Sequence, residues 1–167
     1  GFDDFNARRD AGFVLPHGPR DERRFDTPSG RAQLTVNALR VLRAPAGHLV
    51  LQTLRSHDQY NTTIYGLNDR YRGIRAGRRV VMVNAADLDE LGIADGTVVD
   101  LVGVAEDGVA RRAARFRVVA YDTPRGCAAA YYPETNALVP LDSVAEGSGT
   151  PTSKSVIVRL EPVASPG

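Results

Sequence analysis

The sequence predicts a mainly β fold closed into a barrel. Three observations lead there. Short runs of Val, Ile, Leu and Thr recur between turn residues from Arg31 to Pro162, only one segment has a clear helical start and stop, and no strand–helix alternation runs through the chain. A barrel follows because closure removes the free sheet edges that many short strands would otherwise expose.

Residues 1–30 stand apart. They are rich in Gly and Pro, carry the charge clusters Arg8-Arg9-Asp10 and Arg20 to Arg24, and keep neither a helical nor an alternating period. An extended arm is expected, with Phe2, Phe5, Phe13 and Phe25 either docking it on another surface or merely marking a cut boundary. The barrel is expected over 31–163 and a tail over 164–167.

Within the barrel region, Ala32 to Val36 alternates apolar and polar residues and reads as a first strand. Pro45-Ala46-Gly47 is a turn before a strand from His48 to Thr53. Arg78 to Val83 reads as a short buried strand. Asn84 is placed to cap a helix from Ala85 to Leu91, with Asp87 in its first turn and Gly92 ending it. Gly96 suits a tight turn. Thr97 to Val104 and Arg111 to Tyr121 form a hairpin around Glu106-Asp107-Gly108. Cys127 to Tyr132 is a small-residue strand, Pro133 to Thr152 is loop, and Ser155 to Leu160 is the last strand.

A formal net charge of +1 announces no broad basic face for nucleic acid or anionic lipid. No apolar run approaches the roughly 20 residues of a membrane span. One cysteine, Cys127, excludes an internal disulfide framework and a thiolate-only metal site, so a reducing cytoplasm is the expected setting. The sequence starts at Gly1, as expected of a piece excised from something longer.

The stretch that carries function runs from Leu51 to Ile74. A strand-like approach leads into Arg55, Ser56, His57, Asp58, Gln59, Tyr60, Asn61, Thr62 and Thr63, a run too polar for a core and too rich in Tyr, Thr and Ile for a linker. It reads as a strand end and loop presenting donors and acceptors to a polar, nucleotide-like ligand. Ser56, His57 and Asp58 are consecutive, so their side chains cannot converge as a hydrolase triad. His57 has no partners at metal-ligand spacing, and no complete glycine-rich phosphate loop occurs. Lys154 is the only lysine in an arginine-rich chain, which suits a site needing a compact ammonium, or an ordinary surface position. Asp69, Arg70, Arg72 and Arg75 read as a recognition loop or as solvated charge, and Tyr131-Tyr132-Pro133 as an aromatic wall or as core.

Four ordered blocks, RSHDQYNTTIYG, GRRVVMVNAADLDELGIADGTVVDLV, YYPETNALVPL and SGTPTSKSVIVRL, resemble the C-terminal domain of molybdopterin oxidoreductases. The likeness is greatest to the formate-dehydrogenase-like FdhF/YdeP group, and FDTPSGRAQLTV resembles its lead-in. The resemblance implies a six-stranded double-psi β-barrel with one or two short helices. It implies a domain that meets bis-molybdopterin guanine dinucleotide within a larger molybdenum oxidoreductase and catalyses nothing alone, its partners being the cofactor and the preceding domains of the same polypeptide. Motif positions then carry cofactor contact to Asn61, Asn136 and Lys154. Ring edges need groups that donate and accept, which suits Gln59, Asn61, Thr62 and Thr63. A pyrophosphate needs cations or N–H donors, which suits Arg55, His57 and Lys154. The rival expectation is a barrel used as a protein or peptide docking module.

Overall fold

The computed structural model describes residues 1–39, 41–60, 66–105 and 107–164. The chain divides into two units, Gly1–Arg40 and Val41–Gly167.

The first unit corrects the expectation of an arm without helices. It holds helix α1 (Phe2–Arg8) and the single-turn α2 (Gly18–Asp21). Helix α1 places Asp3 and Asp4 in its first turn and Arg8 in its last, the charge order that opposes the helix dipole. Asp4 and Arg8 also pair one turn apart. Phe5 meets Phe13 edge-on, and the Arg8 guanidinium lies 4.4 Å from the Phe13 ring centroid. Those aromatics therefore pack on one another. The strand expected over 32–36 does not form. Leu34 and Val36 stay exposed, because alternation makes a strand only where a ladder partner exists.

The second unit is a closed barrel of six strands. In chain order these are β1 (Leu49–Leu54), β2 (Val80–Val83), β3 (Val98–Gly103), β4 (Arg111–Ala120), β5 (Cys127–Tyr131) and β6 (Val156–Pro162). Around the barrel they run β1-β5-β2-β4-β3-β6. β1 pairs with β5 and β2 with β4 in parallel, and the other four pairings are antiparallel. Alternation decides the interior: Leu49, Leu51, Val81, Val83, Val99, Leu101, Phe116, Val118, Val156 and Val158 fill it. β2 is buried on both faces. Its outward Val80 and Met82 pack under Ile74 with Ala129 and Tyr131, so the chain before β2 covers the barrel wall there.

Helix α3 (Ala85–Leu91) forms as its signals require. Asn84 accepts from the Ala86 amide at 3.0 Å, and Gly92 ends the helix at φ 66°. β2 begins two residues later than expected, since Arg78 turns away to serve a different set of partners. The loop after β5 contains one turn of 3-10 helix, Asn136–Leu138. Among the described residues, no helix is long and apolar enough to cross a membrane.

Candidate functional site

Strand direction builds one rim. β1 and β5 are parallel, so both end on the same side of the barrel; β2 and β6 run antiparallel to them and begin there. The segments 55–60, 66–79, 132–138 and 151–155 therefore converge. Backbone bonds fasten them: the Tyr132 amide donates to the Leu54 carbonyl at 2.8 Å, and the Thr53 amide to the Ser153 carbonyl at 3.1 Å.

Lys154 reaches this rim and donates its ammonium to the carbonyl of Thr53. Burial pushes the pKa of that ammonium down, and the charge of Arg55 pushes it further the same way. Neither Arg55 nor Lys154 has an ion-pair partner among the described residues. Two neighbouring cations with no ion-paired carboxylate among the described residues offer positive charge to an anion, although Asp122 lines the same groove as Lys154.

Asn136 is exposed at the first position of the 3-10 turn. It lines a groove of about 340 Å³ with Tyr132, Val139, Thr150 and Ser153. A second groove of about 320 Å³, lined by Gln52, Leu54, Arg72, Tyr121, Cys127 and Lys154, runs over the outer wall of β1 and β5. Ser153 and Lys154 are adjacent and face different grooves, so Lys154 stands at the junction. His57 is half-buried. Its Nε2 lies 3.0 Å from an Arg70 nitrogen and its ring meets Tyr71 edge-on. The same Nε2 lies 3.3 Å from an Asp58 carboxylate oxygen.

Gln59 is buried at 3% exposure, and both ends of its amide are hydrogen-bonded. Its Oε1 accepts from Arg78 at 2.8 Å and its Nε2 donates to the Tyr132 carbonyl at 3.0 Å. It ties two segments of the rim together. Asn61, Thr62 and Thr63 lie outside the described residues.

Sequence reasoning missed a layer beneath the rim. Arg78 donates to Ser56, Gln59, Glu134 and the Tyr132 carbonyl while itself only 6% exposed. Asp69, which reads from sequence as recognition or solvated charge, is buried and accepts from Arg72, Tyr131 and two backbone amides. Of Tyr131-Tyr132-Pro133, Tyr131 belongs to the core and Tyr132 lines the groove. The signal available was weak: a pair of arginines, Arg78 and Arg79, leading into an apolar run, where a buried charge needs a partner.

The chain matches the family described as "Molydopterin dinucleotide binding domain" over residues 49–157, from the first residue of β1 into β6. It belongs to that family. The match takes in every segment of the rim, so the dinucleotide-binding domain and the barrel are the same piece of chain. It is 59% identical over 170 residues to an "uncharacterized oxidoreductase" of Mycobacterium tuberculosis, covering 98% of this chain and 22% of that protein. It is 40% identical over 169 residues to "Protein YdeP" of Escherichia coli, covering 96% of this chain and 22% of that protein. The chain thus spans about a fifth of the length of these relatives.

The dinucleotide-binding domain has groups that suit a pterin dinucleotide. Arg55 and Lys154, cations with no ion-pair partner among the described residues, suit a pyrophosphate, Asn136 offers an amide that donates and accepts, and Tyr132 offers an aromatic face in the same groove.

Proposed function

We propose that this chain is the cofactor-binding domain of a larger molybdopterin oxidoreductase of the formate-dehydrogenase-like group, taking the guanine dinucleotide form of the cofactor. Within it, Arg55 and Lys154 hold the pyrophosphate. Asn136 and Tyr132 meet a ring edge and face, and Asn61, Thr62 and Thr63 extend that contact. His57 and Gln59 keep the loop in place. The molybdenum centre, when bound, supplies the redox chemistry, and catalytic side chains come from the remaining domains. The two parallel strand pairs support the double-psi reading of the barrel. The lone cysteine supports a cytoplasmic setting.

The observation that carries this reading is Lys154, which lines one groove next to Ser153 in the other and whose ammonium feels the charge of Arg55. The test is metal and pterin analysis of the full-length parent, with Lys154→Ala and Asn136→Ala beside the unaltered protein. Molybdenum and pterin in the parent, reduced in both variants, are expected. A parent lacking pterin, or one retaining all of it after both changes, would overturn the assignment.

A further inference from the structure

The groups that face the grooves are held by groups that do not. The turn after β1 is closed by the Gln59 amide donating to the Ser56 carbonyl at 3.0 Å. The segment after β5 is closed by the Asn136 amide donating to the Pro133 carbonyl at 2.9 Å and by Thr135, whose amide donates to the Tyr131 carbonyl at 3.2 Å. Between these two pieces sits the guanidinium of Arg78. It reaches Ser56 Oγ and Gln59 Oε1 on one side, both at 2.8 Å. On the other it reaches the Tyr132 carbonyl at 2.8 Å and Glu134 Oε1 at 2.7 Å. Its carbon centre lies 5.0 Å from the Tyr131 ring centroid.

We propose that Arg78 is a positioning residue for the cofactor rim: through one buried guanidinium it locks the 56–59 turn to the 132–136 segment, so that the two walls move as a unit. This rests on the functional reading above for what the rim holds, but not for the coupling itself. Only a planar fork with several N–H donors spans acceptors in these directions, and a lysine ammonium in the same place reaches one side or the other. Burial makes the loss costly at Ser56 and Gln59, while the Tyr132 carbonyl keeps its bond from Gln59 Nε2. Arg78 would not touch the cofactor. Its effect would pass through Asn136 and Tyr132 on one side and Arg55 and His57 on the other.

Hydrogen exchange on the 167-residue chain tests the coupling, and pterin content of the full-length parent tests its consequence. In Arg78→Lys, exchange at the amides of Gln59, Thr135 and Asn136 should rise by about tenfold or more, while β3 and β4 amides keep their protection. Pterin retention in the parent should fall with it. Unchanged exchange on either side of the guanidinium, loosening spread evenly through β3 and β4, or full pterin retention despite loosening would each overturn the proposal. Should Arg78→Lys fail to fold, Ser56→Ala removes one Arg78 acceptor and a long Ser56 Oγ donation to Gln59 Oε1 at 3.5 Å. It should speed exchange at Thr135 and Asn136, on the side to which Ser56 does not belong, and no change there counts against the coupling. A parent with intact Arg78 and no pterin refutes the functional reading, leaving the exchange result to decide the coupling by itself.

Discussion

Tyr131, the last residue of β5, donates its phenolic hydrogen to the Asp69 carboxylate at 2.8 Å across 62 positions of sequence. Asp69 is 1% exposed and also accepts from Arg72 at 2.6 Å and from the Tyr71 and Arg72 amides. One carboxylate thus shapes the 69–74 loop and bolts it to the barrel. Burial raises the Tyr131 pKa and the neighbouring carboxylate raises it further, so the phenol remains a donor at every ordinary pH.

Removing that bolt in two ways should give two sizes of effect. Tyr131→Phe loses one hydrogen bond to a charged group and should cost about 1.5–3 kcal/mol. Asp69→Ala also strands Arg72 and Tyr131, and should cost about 3–5 kcal/mol. Urea midpoints at constant m-value measure both. Equal costs would mean that the carboxylate does no more than accept from the phenol.

Asp69 also makes the domain acid-sensitive. Burial works to raise its pKa, but the hydrogen bonds from Arg72 and Tyr131 and the charge of Arg72 outweigh it, and the net direction is below the ordinary 3.8. A depressed folded pKa means that the folded state binds the proton less well than the unfolded chain. The stabilisation is therefore complete above 3.8 and is lost as pH falls through the lower folded value. In Asp69→Asn the fall in stability below about pH 4 should be shallower. Denaturant titrations at stepped pH read the slope.

Lys154 has a linkage of the same sign in an alkaline window, but there the charged form is the one that folding disfavours. Its folded pKa lies below 10.5, so the charged ammonium opposes folding at neutral pH. That penalty is relieved as pH rises from the folded value through 10.5. Lys154→Met should consequently leave thermal stability unchanged or raised, while weakening pyrophosphate binding and flattening its salt dependence. Calorimetric titration with pyrophosphate, beside a melting curve, separates the two. A variant that melts early and binds normally would place Lys154 in the scaffold instead.

The scaffold itself should answer to packing and capping. Phe116 is fully buried inside the barrel, and Phe116→Ala should cost about 3–5 kcal/mol. Asn84 caps α3 and also donates to the Thr123 carbonyl at 2.6 Å, so Asn84→Ala should cost about 1–2 kcal/mol. Both are read from the same unfolding curves.

Most of the barrel was legible because its signals are local. Alternation in β1, β3, β4 and β6, the Asn84 cap and the Gly92 stop each act within a few residues of where they are read. The failures are equally physical. Ala32 to Val36 has the alternation but no ladder, and the helices of the first unit rest on ion pairing and aromatic contacts that no hydrophobic period announces. At the rim, Arg55, Asn136 and Lys154 were picked out by residue type and motif position, whereas Gln59 turned out to brace the loop from beneath.

By itself, then, the sequence determined the strands, the capped helix, the family likeness and the polar segments that the rim would be made from. Tertiary structure alone decided which of those polar groups face outward and which are buried as braces. Arg78 meets Tyr132 across 54 positions and Tyr131 meets Asp69 across 62. Only the register in which the sheet closes brings such distant groups within hydrogen-bonding range. Once there, the cost of burying a charge without a partner holds them in place.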